Sequence, residues 1–133
     1  MAKTSGIGWT TLTVTDAGAV ARDIRNDITQ MDFTTPYGNA DITGSDKSAM
    51  ERLALLADLK GSMTFVFNPA ANRAHAVFSG DLRVARTWAI GVGGVTLSAV
   101  VLLTEYGLSR NANGELGGKV PFVLSDGTVP TWA

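Results

Sequence analysis

The sequence predicts a mainly β domain, an antiparallel β-sandwich or barrel with one flanking α-helix and a short second helix. Three observations lead there. Threonine and β-branched residues alternate at period two in segments such as Thr10–Thr15 and Ser62–Phe67. Glycine-bearing turn signals punctuate the chain at Asp16-Ala17-Gly18, Gly91–Gly94, Asn113-Gly114 and Asp126-Gly127. Helical spacing is confined to two stretches, so strands dominate and a helix laid against a sheet is the expected packing.

In order along the chain, Leu12 and Val14 face one way, and Thr11, Thr13 and Thr15 the other, as in a half-buried strand. Gly18 is expected to supply a positive φ in the turn that follows. Ala19–Asn26 reads as the returning strand. From Asp27 onward Thr29, Met31 and Phe33 line one face and Gln30, Asp32 and Thr34 the other, which suits an antiparallel sheet covered on one side.

Thr35–Ser45, with Pro36, Gly38, Asn39 and Gly44, reads as a long loop. It holds no catalytic group, so a contact role is expected. Ser48 and Glu51 have capping-box spacing, and Met50, Leu53, Ala54 and Ala57 follow at i, i+3, i+4 and i+7. A helix is therefore predicted over Asp46–Leu59, closed by Lys60 and Gly61.

Ser62–Phe67 returns to strand, with Met63, Phe65 and Phe67 on one face. Asn68-Pro69 looks like the start of a short helix carrying Ala70, Ala74, Val77 and Phe78 and ending at Gly80. Leu82–Ile90 and Val95–Tyr106 are predicted to pair as a hairpin. Val120, Phe122 and Leu124 make a last strand. About seven strands are expected in all, in a single domain spanning residues 1–133.

Composition narrows the function. Lys plus Arg number 11 and Asp plus Glu 12, a balance unlike the basic excess of a nucleic-acid-gripping domain. Charged residues are 17% of the chain, below the roughly 25% of ordinary soluble domains, which lowers repulsion between copies. No cysteine is present, so disulfides and thiolate metal sites are excluded. The N-terminal MAKTSGIGW has no apolar core of signal-peptide length. Thr87–Thr104 is uncharged and nears membrane-span length, but its glycines and its valines and threonines fit two strands meeting at a turn, so no membrane insertion is expected.

A search for chemistry leaves little. His75 is the one histidine and has no metal-ligand spacing around it, so a structural role is expected. No serine lies in a nucleophile elbow, and Gly91-Val92-Gly93-Gly94 stands between strands rather than before a helix that would cradle phosphate. Asp23 and Asp27 have no evident catalytic partner. Trp88 shares a strand face with Val84 and Ile90 and is expected in the core. Trp9 and Trp132, near the termini, either pack within the chain or dock on a neighbouring copy.

Several stretches together resemble the major tail tube proteins of long-tailed bacteriophages and related gene-transfer particles: RDIRNDITQMDF at 22–33, DITGSDKSAMERLALLADLKGSMTFVFN at 41–68, NPAANRAHAVF at 68–78, GVTLSAVVLL at 94–103, NANGELGGKVPF at 111–122 and DGTVPTW at 126–132. The resemblance runs from about residue 7 to 132 and rests on a pattern of elements rather than a catalytic signature. It implies a virion structural protein of the phage tail, made in the host bacterial cytoplasm. Such subunits form rings, commonly hexameric, that stack into a hollow tube for DNA ejection.

The implied partners are other copies of the chain, the tape measure, tail terminator and distal tail proteins, and passing DNA touched only transiently. No cofactor and no catalytic residue is implied. A tube that lets DNA slide should not grip phosphate, so Asp23, Asp27, Gln30 and Asp32 are candidate lumen-facing groups. The candidate subunit and ring contacts are the Thr35–Ser45 loop, with Pro36, Tyr37, Asn39 and Asp41, and the two termini, with Trp9 and Trp132. The alternatives are a small β-barrel that takes an apolar ligand in its mouth and a hydrolase with an unrecognised site.

Overall fold

The structure, a computed structural model, describes residues 9–133. Its elements are β1 (Thr11–Thr15), β2 (Ala21–Asp23), β3 (Ile28–Thr34), β4 (Tyr37–Asp41), β5 (Arg52–Ala57), β6 (Lys60–Val66), α1 (Ala74–Phe78), β7 (Arg86–Val92), β8 (Val95–Leu103), β9 (Gly107–Arg110), β10 (Leu116–Leu124) and β11 (Thr131–Trp132). Nine strands form one antiparallel sheet in the order β2-β1-β7-β8-β10-β6-β3, with β9 beside β10 and β11 beside β8. β4 and β5 form a separate two-stranded ribbon.

Cross-strand registry sorts the side chains into rows, because partners across a ladder share a face. Leu12, Ile90 and Leu97 make one inner row, and Met31, Met63 and Val120 another. A third runs Phe33, Gly61, Phe122, Leu103. The sheet curls so that these rows meet: the Trp88 ring on β7 lies 5.0 Å from Phe122 and 5.3 Å from Phe33 on the edge strand β3. Gly61 permits the tight approach of β3 to β6, since a Cβ there would overlap the Asp32 carbonyl oxygen and stand 2.7 Å from the Phe33 Cα.

The mainly β, antiparallel expectation holds, and the β7–β8 hairpin forms as predicted. Gly93 and Gly94 both take positive φ, 61° and 87°, the geometry of a two-residue turn that matches strand twist. The Asn113-Gly114 turn likewise joins β9 to β10, with Gly114 at φ 99°.

Other expectations are corrected. Asp46–Leu59 is not a helix: its second half is β5, paired with β4 inside the stretch read as a loop. Helical spacing at Met50, Leu53, Ala54 and Ala57 loses to that cross-strand pairing, as propensity often does to tertiary context. The capping box does not form either, because the Glu51 N–H donates to Thr43 Oγ1 at 2.8 Å. The flanking helix is therefore absent from the described residues, and α1 is the one helix there.

Smaller corrections follow from local geometry. The left-handed residue after β1 is Ala19, at φ 63°, not Gly18. The returning strand shrinks to Ala21–Asp23. A bulge between Ile28 and Gln30 shifts the register of β3, so Ile28 rather than Thr29 faces the core alongside Met31 and Phe33. The short helix starts at Ala74, five residues after Pro69, and Val84 lies in the loop before β7 instead of beside Trp88.

Candidate assembly surfaces

β4 and β5 leave the sheet between β3 and β6 as a ribbon. Alternation along β5 puts Leu53, Leu55 and Ala57 on one face, and their partners Ala40 and Tyr37 lie on the same side. This face is apolar yet open, with Tyr37 60%, Leu53 53% and Leu55 49% exposed. Leu56 on the opposite face is 86% exposed, and Ile42 and Met50 add to the tip. Two-stranded ribbons are marginal in water by themselves. This one is braced at its tip by Thr43, whose Oγ1 donates to Asp41 Oδ1 at 2.6 Å. Those bonds hold the Asp41 carboxyl below its ordinary pKa of 3.8, the Thr43 hydroxyl contributing most and its N–H next.

Of the predicted contact residues, Tyr37, Asn39 and Asp41 are exposed on this ribbon and Pro36 is half-buried at its base. Trp132 in β11 is 51% exposed, its ring 6.1 Å from Phe33. Trp9 is half-buried against the core, and its carbonyl accepts from Arg25 Nη1 at 3.0 Å. Residues 1–8, part of the N-terminal contact expectation, lie outside the described residues. The apolar leucines of β5 escaped sequence reasoning. The signal was present: Leu55 and Leu56 fall off the face that Met50, Leu53, Ala54 and Ala57 would make on a helix.

The predicted lumen set does not form one stripe. Gln30 and Asp32 stand side by side on the solvent face of β3, with Gln30 Nε2 donating to Asp32 Oδ2 at 3.3 Å. Asp23 lies on the same solvent face at the far end of the sheet order, on β2. Arg25 neutralises it through a pair at 3.1 Å. Slight burial pushes the Asp23 carboxyl up, but the N–H and guanidinium of Arg25 outweigh that and leave it lowered.

Asp27 is a correction. It is 3% exposed, and its two oxygens accept from Asn68 Nδ2 at 2.8 Å and from the Ala74 N–H at 3.0 Å. It caps α1 from outside, a task no residue at the helix start performs: Arg73 sits at the N-cap without a side-chain bond. A lumen-facing role is withdrawn for it.

The two strands at the ends of the main path, β2 and β3, each pair on one side only among the described residues. A second surface lies where β10 runs between β6 and β9. Gly117 and Gly118 of β10 pair with Val66 and Phe65 on one side and with Ser109 and Leu108 on the other. These two glycines let β10 run close to both neighbours, since a Cβ at Gly117 would stand 2.5 Å from the Phe65 carbonyl oxygen and one at Gly118 would overlap the Gly107 carbonyl oxygen. A cleft of about 740 Å³ lies beside them, lined by Glu105, Leu108, Glu115, Leu116 and Lys119 among others.

His75 stacks on Phe67 at 5.0 Å, with its Nδ1 2.9 Å from the Tyr106 hydroxyl. Burial pushes the Tyr106 phenol up. Among the described residues no cluster of His, Asp and Glu could hold a metal ion, and no helix is long and apolar enough to cross a membrane.

No protein-family model and no curated protein matches the chain. Solved structures do. A chain in the tail of an empty gene transfer agent (GTA) particle, refined helically with C6 symmetry, superposes with TM-score 0.72 at 14% identity, covering 98% of this chain and 99% of that one. A chain in the virion of a native gene transfer agent particle superposes with TM-score 0.68 at 14% identity over the same shares. At that identity the likeness establishes a shared fold.

Proposed function

We propose that this chain is a structural subunit of a phage-like tail tube, assembling into stacked hexameric rings around a channel for DNA. The single observation that carries the reading is the β4–β5 ribbon. A soluble subunit that holds an apolar face of Tyr37, Leu53 and Leu55 away from its own core needs another surface to cover it. The likeness to chains in a C6-symmetric tail supports a ring of like copies as that surface.

The sheet ends fit the same reading. Joining the open edge of β3 in one copy to that of β2 in the next removes exposed edges that otherwise template aggregation. Repeating that contact head to tail closes a ring. It also brings Asp23 of one copy towards Gln30 and Asp32 of its neighbour on a continuous solvent face, a polar lining without a basic excess, since Arg25 pairs with Asp23 and Lys60 shares the face with Asp32. No catalytic step is required. The tape measure, tail terminator and distal tail proteins are the expected further partners, and the virion tail the expected location.

The apolar-ligand alternative wants an empty interior, whereas Trp88, Phe65 and Phe122 fill the inner face here. Electron microscopy of the purified protein at increasing concentration, alone and with its assembly initiator, tests the reading. Rings and hollow tubes are expected. A monomer under all these conditions overturns it.

A further inference from the structure

Arg73 has no local reason to be an arginine. It holds the N-cap position of α1 without a side-chain bond there, in a place where Ser, Thr, Asp or Asn usually stands. Asp27 supplies the cap instead. Asn72 before it takes a left-handed φ of 64°. The exposed Arg73 side chain reaches the end of β2, where Nη1 donates to the Asp23 carbonyl at 3.4 Å. That bond is long, so little holds the guanidinium from a better acceptor. The side chain borders an open hollow with Trp9, Asp23, Arg25 and Asn26.

The neighbouring cation is committed. Arg25 pairs with the Asp23 carboxylate at 3.1 Å, and its Nη1 donates to the carbonyls of Trp9 and Thr10. Arg73 forms no ion pair among the described residues; the pairs there are Arg22–Asp16, Arg25–Asp23, Lys47–Glu51 and Arg83–Asp81. It is thus the cation at this edge that is free to take a carboxylate.

Asp32 stands in the complementary position, on the strand at the other end of the sheet order. It is the one charged side chain of β3, it is exposed, and its partner is an amide, Gln30 Nε2 at 3.3 Å. Lys60 shares its face but lies on the β6 side, opposite Thr34, and is in none of those ion pairs.

A joint between β3 of one copy and β2 of the next moves the Asp32 carboxylate towards that of Asp23. Two acids meeting across a contact weaken it unless a cation lies between them. Arg73 is beside Asp23 and uncommitted. We propose that Arg73 of one copy clasps Asp32 of the next, the ion pair that fixes the register of the side-to-side contact within a ring. The inference rests on the tail-tube reading and adds to it a named pair of side chains.

Charge exchange tests it. Full-length Arg73→Asp and Asp32→Arg proteins are compared with the native chain, each alone and the two mixed in equal amounts, by sedimentation and electron microscopy with the assembly initiator present. Both positions are exposed, so the thermal melt of each monomer should stay close to native. Each reversal sets like charges together at the joint and should raise the concentration needed for polymer by about tenfold or more. The mixture should recover polymer, because copies alternating around an even-numbered ring place an acid against a base at every joint. A chain carrying both reversals should recover it too. A pair made within one chain would not respond to mixing.

A native chain that stays monomeric under all these conditions overturns the tail-tube reading and this inference with it. If the native chain forms tubes and either single reversal forms them at the native concentration, the Arg73–Asp32 assignment alone fails. It fails likewise if either the mixture or the double reversal does not restore them.

Discussion

Arg86 donates from Nη1 to the Val77 carbonyl at 2.7 Å, tying the first residue of β7 to α1. The same nitrogen reaches the Thr15 carbonyl at 3.1 Å, and Nη2 reaches Asp81 O at 3.0 Å. The side chain is fully buried. Burial pulls its pKa down, while Asp16 and Asp81 act in the opposite sense. Three carbonyls from three segments thus converge on one guanidinium. Replacing Arg86 by Met removes all three bonds and leaves buried acceptors unpaired. A loss of roughly 2–4 kcal/mol is expected. Urea unfolding measures it, and a change under about 1 kcal/mol would refute the role.

Asp27→Ala should cost about 1–2 kcal/mol, the usual range for a lost helix cap plus a stranded donor. Asp27→Asn, which keeps one acceptor oxygen, should lose less. If Asp27 instead faced a channel, neither change would affect the melting temperature of the monomer.

Ala19→Gly should stabilise the monomer by about 1 kcal/mol. Ala19 holds a left-handed φ of 63°, a conformation that disfavours a Cβ and that glycine takes freely. An unchanged or lower midpoint in urea would contradict this.

Leu56→Asp separates folding from assembly. At 86% exposure the side chain adds little to monomer stability, so a shift within about 0.5 kcal/mol is expected. Sedimentation should nevertheless show loss of polymer.

Acid should destabilise the subunit. Asp16 is held below the ordinary 3.8 chiefly by the Val20 N–H, and Asp81 chiefly by the Arg83 guanidinium. A carboxylate with a folded pKa below its unfolded one adds stability that is complete above the unfolded value. That stability is lost as pH falls from there through the folded pKa. Midpoints in urea should therefore be flat from pH 7 to 5 and decline below about pH 4. Asp16→Asn with Asp81→Asn should flatten that decline.

Legibility followed the range of the determining contact. The β7–β8 hairpin was readable because its alternation and its two glycines lie within one short stretch. The fate of 46–59 was not, because Ala and Leu favour a helix locally and only pairing with β4 overrides them. The bulge at Thr29 was invisible, since a single inserted residue inverts the faces without altering composition. Tyr37, Asn39 and Asp41 are exposed, but on a strand where a loop is expected, because the pairing with β5 lies outside the segment; Asp27 is illegible because a carboxylate capping a helix from 47 positions away looks like any surface acid. Arg86 was missed for the same reason, as a lone basic residue in a strand gives no hint of the carbonyls that surround it.

β10 sits between β8 and β6 in the sheet, yet it follows both in the chain. Before it inserts, β3–β6 and β2-β1-β7-β8 are two fragments with no strand between them. Folding must therefore bring residues 60–66 and 95–103 together around a strand made later than either, a slow, nonlocal closure. Until that step the Met63 and Phe65 side of the protein lacks its Val120 and Phe122 cover. Completion of the sheet is thereby tied to the last long strand synthesised.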